Sequence, residues 1–123
     1  MREITTIEEI VEIMDNDSRE FGFRNANDHD VELLERGYLD CSFDWSDGEM
    51  SEEKLNGTCA VGISIYLSED EIMKRYNQTV KGYGKNNLIL LVADNHCEYG
   101  NDENEVILGH DGYGADIVAI VKL

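Results

Sequence analysis

The stretch from residue 58 to residue 94 constrains the fold more than any other. "TCAVGISIYL" alternates as a strand does, with Cys59, Val61, Ile63, Ile65 and Leu67 on one face. Thr58, Ala60, Gly62, Ser64 and Tyr66 fall on the other, where small residues admit a close neighbour. "SEDEIMKRYNQTVKGYG" then has the marks of a helix. Ser68 and Glu71 are spaced as a capping box, and Leu67 and Ile72 as a hydrophobic staple. Ile72, Met73, Tyr76 and Val80 make the apolar stripe, and Gly82 stands where such a helix stops. "NLILLVADN" is apolar on both faces, which marks a central strand. Strand, helix and strand in this order predict a parallel crossover.

The flanks add further elements. In "TTIEEIVEIM", Ile7, Ile10, Val11 and Met14 recur at helical spacing, and Thr5 with Glu8 or Thr6 with Glu9 supplies the cap. "DNDS" ends that helix, because Asp and Asn side chains compete for its backbone groups. Within "FGFRNANDHDVELLERG", Asp28 is placed to cap a short helix carrying Val31, Leu33 and Leu34, with Gly37 at its stop. "YLDCSFDW" reads as a strand, "SDGEMSEEKLNG" as a solvated loop and "HCEYGNDEN" as another loop. "EVILG" and "ADIVAIVKL" are strands joined through "HDGY", where Asp111-Gly112 signals a tight turn. The order predicts one α+β domain over 1–123, with a four- to five-stranded mixed sheet and two to three helices.

Charge narrows the function. Twenty-seven acids stand against ten bases, a formal net charge of −17. Residues 1–54 hold 17 acids and 5 bases (net −12), and residues 55–123 hold 10 and 5 (net −5). Such a chain repels phosphate backbones and anionic lipid, so direct binding to nucleic acid or membrane is not expected. The longest apolar run, "LILLVA", is too short to span a bilayer, and "MREITTIEEI" lacks the apolar region of a secretory leader. Cys41, Cys59 and Cys97 form an odd set with no C-x-x-C, which points to reduced thiols and the cytoplasm. There is no proline, so the turns rest on eleven glycines and on Asn and Asp.

Familiar chemistry is mostly missing. The three cysteines with His29, His96 and His110 lack zinc-ligand spacing, and no acidic loop follows the calcium pattern; no metal is expected. "VGISIY" lacks the second glycine of a nucleophile elbow. Cys97 and His96 are sequence neighbours, which point apart in an extended segment. "GHDGYG" precedes a strand and not a helix, so it reads as a hairpin turn and not a phosphate loop.

"NDENEVIL" offers one more pattern. Glu103 and Glu105 lie two residues apart on an extended segment and so face the same side. With Arg36 in "ERGY" and Thr58 in "NGTCAVGI", the order and rough spacing resemble the ADP-ribosyltransferase family. The resemblance covers residues 36–123 through short motifs. It implies that Arg36 holds the phosphates of a nicotinamide dinucleotide and that Thr58 supports the site. It further implies that Glu105 is the catalytic carboxylate and that Glu103 orients the acceptor. NAD is the cofactor only under this reading, and an inactive relative is included in it.

The preferred expectation is a small acidic binding module, without cofactor, that acts through a protein partner. In its sharper form the carboxylates imitate phosphates and block a basic nucleic-acid-binding enzyme, as inhibitors carried by phages or mobile elements do. The contacts expected for that role are Asp44, Asp47, Glu49, Glu52 and Glu53 in the acidic loop. Under this expectation "NDENE" is a solvated loop entering a core strand.

Overall fold

A computed structural model describes residues 2–37, 40–45, 59–81, 86–98 and 113–123, with the backbone alone at 40–45, 59, 95–98 and 113–114. The chain runs β1 (Glu3–Ile4), α1 (Ile7–Asp15), β2 (Phe21–Asn25), α2 (Asp28–Glu35), β3 (Asp40–Trp45), β4 (Cys59–Ile63), α3 (Glu69–Lys81), β5 (Ile89–Glu98) and β6 (Tyr113–Val121). It is an α+β fold with three helices and a mixed sheet among the described residues. Five strands of five residues or more carry the sheet, and the two-residue β1 adds to its edge.

Local signals explain the helices. Thr6 is the N-cap of α1: its hydroxyl accepts from the Glu9 amide at 3.3 Å and donates to the Glu9 carboxylate at 3.1 Å. Ile10 and Met14 are buried, while Asn16 ends the helix by donating its backbone and side-chain amides to the Glu12 carbonyl. For α2 the cap is Asn27 and not Asp28. The Asn27 side chain accepts from the Asp30 amide at 2.8 Å, and the Asp30 carboxylate accepts from the Asn27 amide at 3.1 Å. Gly37 takes φ +84°, the left-handed stop that glycine adopts most easily. Ser68 caps α3 by accepting from the Glu71 amide at 3.2 Å. Ile72 is buried there as expected, but Thr79 is the second buried residue and Val80 is 48% exposed. Thr79 satisfies its hydroxyl by donating to the Arg75 carbonyl at 2.8 Å, so a polar residue fills the inner face.

Three strand boundaries differ from the sequence expectation. Phe21–Asn25 is a wholly buried strand where none was expected. Its aromatics alternate with Gly22 and Arg24, and the charged Arg24 masks the pattern. β4 stops at Ile63, and the chain then turns: the Leu67 amide donates to the Ser64 carbonyl at 3.2 Å. β5 continues through His96 and Cys97 to Glu98, a segment expected to be a loop. The expected strand "EVILG" and the turn at Asp111-Gly112 lie outside the described residues.

The strand–helix–strand unit is present in modified form. β2 pairs antiparallel with both β4 and β5, so β4 and β5 run in the same direction with β2 between them. The ladder continues from β4 to β3 (parallel), from β3 to β6 (antiparallel) and from β6 to β5 (antiparallel). Five strands therefore form a closed circuit, β6–β3–β4–β2–β5–β6, which leaves few open edges. β1 pairs parallel with the end of β6 at Glu3↔Ile120 and Ile4↔Val121.

Each face of this circuit has its own core. Ile10, Met14, Phe21, Phe23, Ile72 and Leu91 belong to the core under α1 and α3. Ala26, Ala60, Leu90, Val92, Ala115 and Ile117 form the other, joined by Val31 and Leu34 of α2. A bulge in β6 lets that strand serve both. Leu91 pairs with Ala119 but Val92 pairs with Ile117, so Val118 is the extra residue and the side-chain phase reverses.

Candidate functional site

A cleft of about 660 Å³ opens where the end of α1 and its link to β2 face the turn after β4. Its apolar floor includes Met14, Phe21 and Ile63, all buried core residues. One wall is the end of α1 and the link after it, with Asp15, Asp17, Arg19 and Glu20. The opposite rim carries Ile65 and Tyr66, which are 43% and 92% exposed. The turn explains that exposure. Leu67 packs against the core and the Tyr66 amide donates to the Ser64 hydroxyl at 3.3 Å, leaving the two intervening side chains outside.

Arg19 fixes the acidic wall. Its Nε donates to Asp17 Oδ1 and Oδ2 at 3.1 and 2.9 Å, and its Nη2 to Asp17 Oδ2 at 2.7 Å. Nη1 reaches Asp116 Oδ2 of β6 at 2.6 Å. The Asp17 backbone turn is closed by the Arg19 amide, which donates to Oδ1 at 3.0 Å. The Arg19 side chain holds the Asp17 carboxyl below the ordinary aspartate range, with the Arg19 amide adding to the effect. The Asp17 contact likewise raises the guanidinium. One cation is thus shared by two carboxylates, and the wall with Asp15 and Glu20 remains anionic.

A second charged pair lies inside the fold. Arg24 Nε donates to Asp30 Oδ2 at 2.8 Å, and Nη2 to Oδ1 at 3.0 Å. Arg24 is 2% exposed and Asp30 1%. Asp30 therefore closes the α2 capping box and holds a strand arginine at the same time. Beside it, Asn25 turns to the opposite face and donates to the Thr79 carbonyl at 3.0 Å, tying β2 to the last turn of α3.

Of the residues expected to form a transferase site, Arg36 alone is among the described residues. Arg36 is the C-cap of α2, with its side chain 65% exposed and paired to Glu32 at 3.1 Å. Thr58, Glu103 and Glu105 lie outside the described residues, as do Asp47, Glu49, Glu52 and Glu53 of the acidic loop. Asp44 is in β3, with its backbone opposite Cys59 of β4. Among the described residues, no group of three His, Cys, Asp or Glu side chains is placed to hold a metal. No described helix is long and apolar enough to cross a membrane.

Comparison with family models, with characterised proteins and with solved structures finds no match to this chain. The site must therefore be understood from its own residues. Sequence reasoning missed the cleft because Ile65 and Tyr66 continue the alternation of "TCAVGISIYL" without a break. The available signal was "SIYLSED", where Ser64 can start a turn before the Ser68 cap. For Arg24 and Asp30 the signal was a charged residue inside the alternating "FGFRN", followed by the "NDHD" helix start.

Proposed function

We propose that this chain is a non-enzymatic acidic binding module that acts through a protein partner. The observation that carries this reading is the solvent-facing acidity of two helices. Glu8, Glu12 and Asp15 are exposed on α1, whose last turn has no basic residue. Glu69, Asp70 and Glu71 are exposed on the first turn of α3. None of these six is ion-paired among the described residues. A field of unpaired carboxylates speeds encounter with a basic surface and repels nucleic acid and acidic proteins.

The finer form of the proposal is an inhibitor of the kind carried by phages or mobile elements. Its carboxylates would stand in for phosphates in the groove of a nucleic-acid-binding enzyme, with Asp44, Asp47, Glu49, Glu52 and Glu53 as further contacts. A cytoplasmic setting belongs to the same proposal. The test is capture of partners from lysate by the native chain and by a variant carrying Glu8→Lys, Glu12→Lys and Asp15→Lys. The native chain should retain basic proteins in a salt-sensitive manner, and the variant should release them. Equal retention by both would defeat the reading.

The alternative is an NAD-binding enzyme like the ADP-ribosyltransferases, or its inactive relative. The exposed guanidinium of Arg36 favours it only in being accessible to an anionic ligand. A thermal-shift titration with NAD, beside Glu105→Gln and Arg36→Ala, decides it. Saturable stabilisation reduced in both variants supports the transferase reading. An unchanged melting temperature at about a thousandfold the expected Kd range of a tight ligand removes it.

A further inference from the structure

The cleft combines three features that recognise one kind of occupant. Its floor is apolar and continuous with the core through Met14, Phe21 and Ile63. Its link wall holds Asp15, Asp17 and Glu20 against the single Arg19, which is already shared by Asp17 and Asp116. Its far rim presents Ile65 and a nearly fully exposed Tyr66. An aromatic ring across the cleft from carboxylates suits a guanidinium or ammonium group, whose charge the ring quadrupole attracts. The space is within the range of ordinary ligand clefts and holds a few side chains, not a domain.

Resting on the binding-module reading, we infer that this cleft docks a cationic segment of a partner protein, with an apolar side chain on the floor and a neighbouring Lys or Arg between Tyr66 and the acidic link. A second copy of this chain does not fit, because each copy carries −17 and would bring further carboxylates to the same wall. Nucleic acid is excluded by the same sign of charge. The rim is built for exchange with a partner. Ile65 and Tyr66 contribute little to the folded core, so their exposure reflects no packing need.

Amide chemical shifts of the full chain, titrated with three synthetic peptides of equal length, test the inference. The first alternates Lys or Arg with Leu, the second replaces Leu by Gly, and the third replaces the cations by Glu. The first should perturb amides of residues 15–21 and 63–66. The second should bind about tenfold more weakly for loss of its apolar anchor, and the third not at all. Ile65→Ser with Tyr66→Ser should weaken the first peptide about tenfold with only a small change in melting temperature, because Tyr66 is almost wholly exposed and Ile65 is 43% exposed. Asp15→Asn with Glu20→Gln should weaken it and flatten its salt dependence.

Failure takes three distinguishable forms. If the cationic peptides perturb only residues 7–13 of α1 and the first turn of α3, the cleft is not the docking site and the acidic module stands. If no cationic peptide perturbs the chain anywhere, the docking site and the module fall together. Equal binding of the Leu and Gly peptides also overturns the inference, because it removes the role of the floor.

Discussion

Arg24 and Arg19 each grip an aspartate with two nitrogens, yet in opposite surroundings. Arg24 and Asp30 are sealed between β2 and the start of α2, where almost no surface of either reaches solvent. Arg19 lies on the link after α1, more than a quarter exposed, and divides its charge between Asp17 and Asp116. Geometry is similar in the two places, with contacts between 2.6 and 3.1 Å. The energetic meaning is not. A buried pair makes each partner depend on the other, because either charge alone would remain desolvated. A surface pair competes with water and salt, and its loss leaves both groups solvated.

The largest consequence concerns Asp30. Asp30→Ala leaves the Arg24 guanidinium without its bidentate partner and removes half of the α2 capping box. Denaturant unfolding should show a loss of about 3–5 kcal/mol, which is large for a domain of this size. Replacing both partners, Arg24→Met with Asp30→Leu, should cost less than Asp30→Ala alone. An apolar pair buries no charge at all, although the cap is still lost. A double variant less stable than the single one would show that Arg24 is held mainly by partners other than Asp30.

Next in size is the cap that the buried pair shares. Asn27→Ala removes the side chain that accepts the Asp30 amide and should cost about 1 kcal/mol by the same measurement. Asn27→Asp should retain most of that stability, because an aspartate caps equally well. If Asn27→Ala proves as damaging as Asp30→Ala, the cap and not the ion pair dominates this end of the fold.

The two regions also differ in how openly the sequence displays them. The helices were legible because capping and periodicity are local: Thr6 with Glu9, Ser68 with Glu71, and Gly37 each act within one turn. The central strand at 89–93 was legible because every residue there is apolar and buried. β2 was not, since both of its faces are buried and the charge of Arg24 on one of them is met by Asp30 of a different element. The bulge at Val118 and the closure of β6 onto both β3 and β5 are long-range facts with no local mark. The cleft failed for a related reason. Ile65 and Tyr66 keep strand alternation in the sequence, and only the Ser64–Leu67 turn lifts them out of the sheet. Of the residues chosen for chemistry, Arg36 turned out to be an exposed helix end, which "ERG" already implied.

A smaller effect belongs to the surface cluster. Arg19→Met should lower stability by no more than about 1 kcal/mol, and the loss should shrink at high salt. Its clearer effect is on the wall of the cleft, where Asp17 and Asp116 lose their shared cation. The variant should therefore bind the cationic Leu peptide at least as tightly as the native chain, provided the link keeps its shape. Weaker binding would mean that Arg19 serves to position the wall and not merely to neutralise it.

The finest effect is the response of the Asp17 carboxylate to acid. Asp17 is held below its ordinary range by the Arg19 side chain, so its folded form binds a proton less readily than its unfolded form does. The stability it contributes is present above the unfolded value, near pH 4, and is lost as pH falls through the depressed folded value. Asp17→Asn removes that contribution. The melting-temperature gap between the native chain and Asp17→Asn should be constant from about pH 7 down to about pH 5 and close below about pH 4. The gap should also narrow with added salt, because the pair is partly exposed. A gap that stays open in acid would show that it does not arise from the ionised Asp17–Arg19 pair, because asparagine can still accept the Arg19 amide and only the charge is lost. The surface arginine would then be a consequence of the link's shape and not its cause.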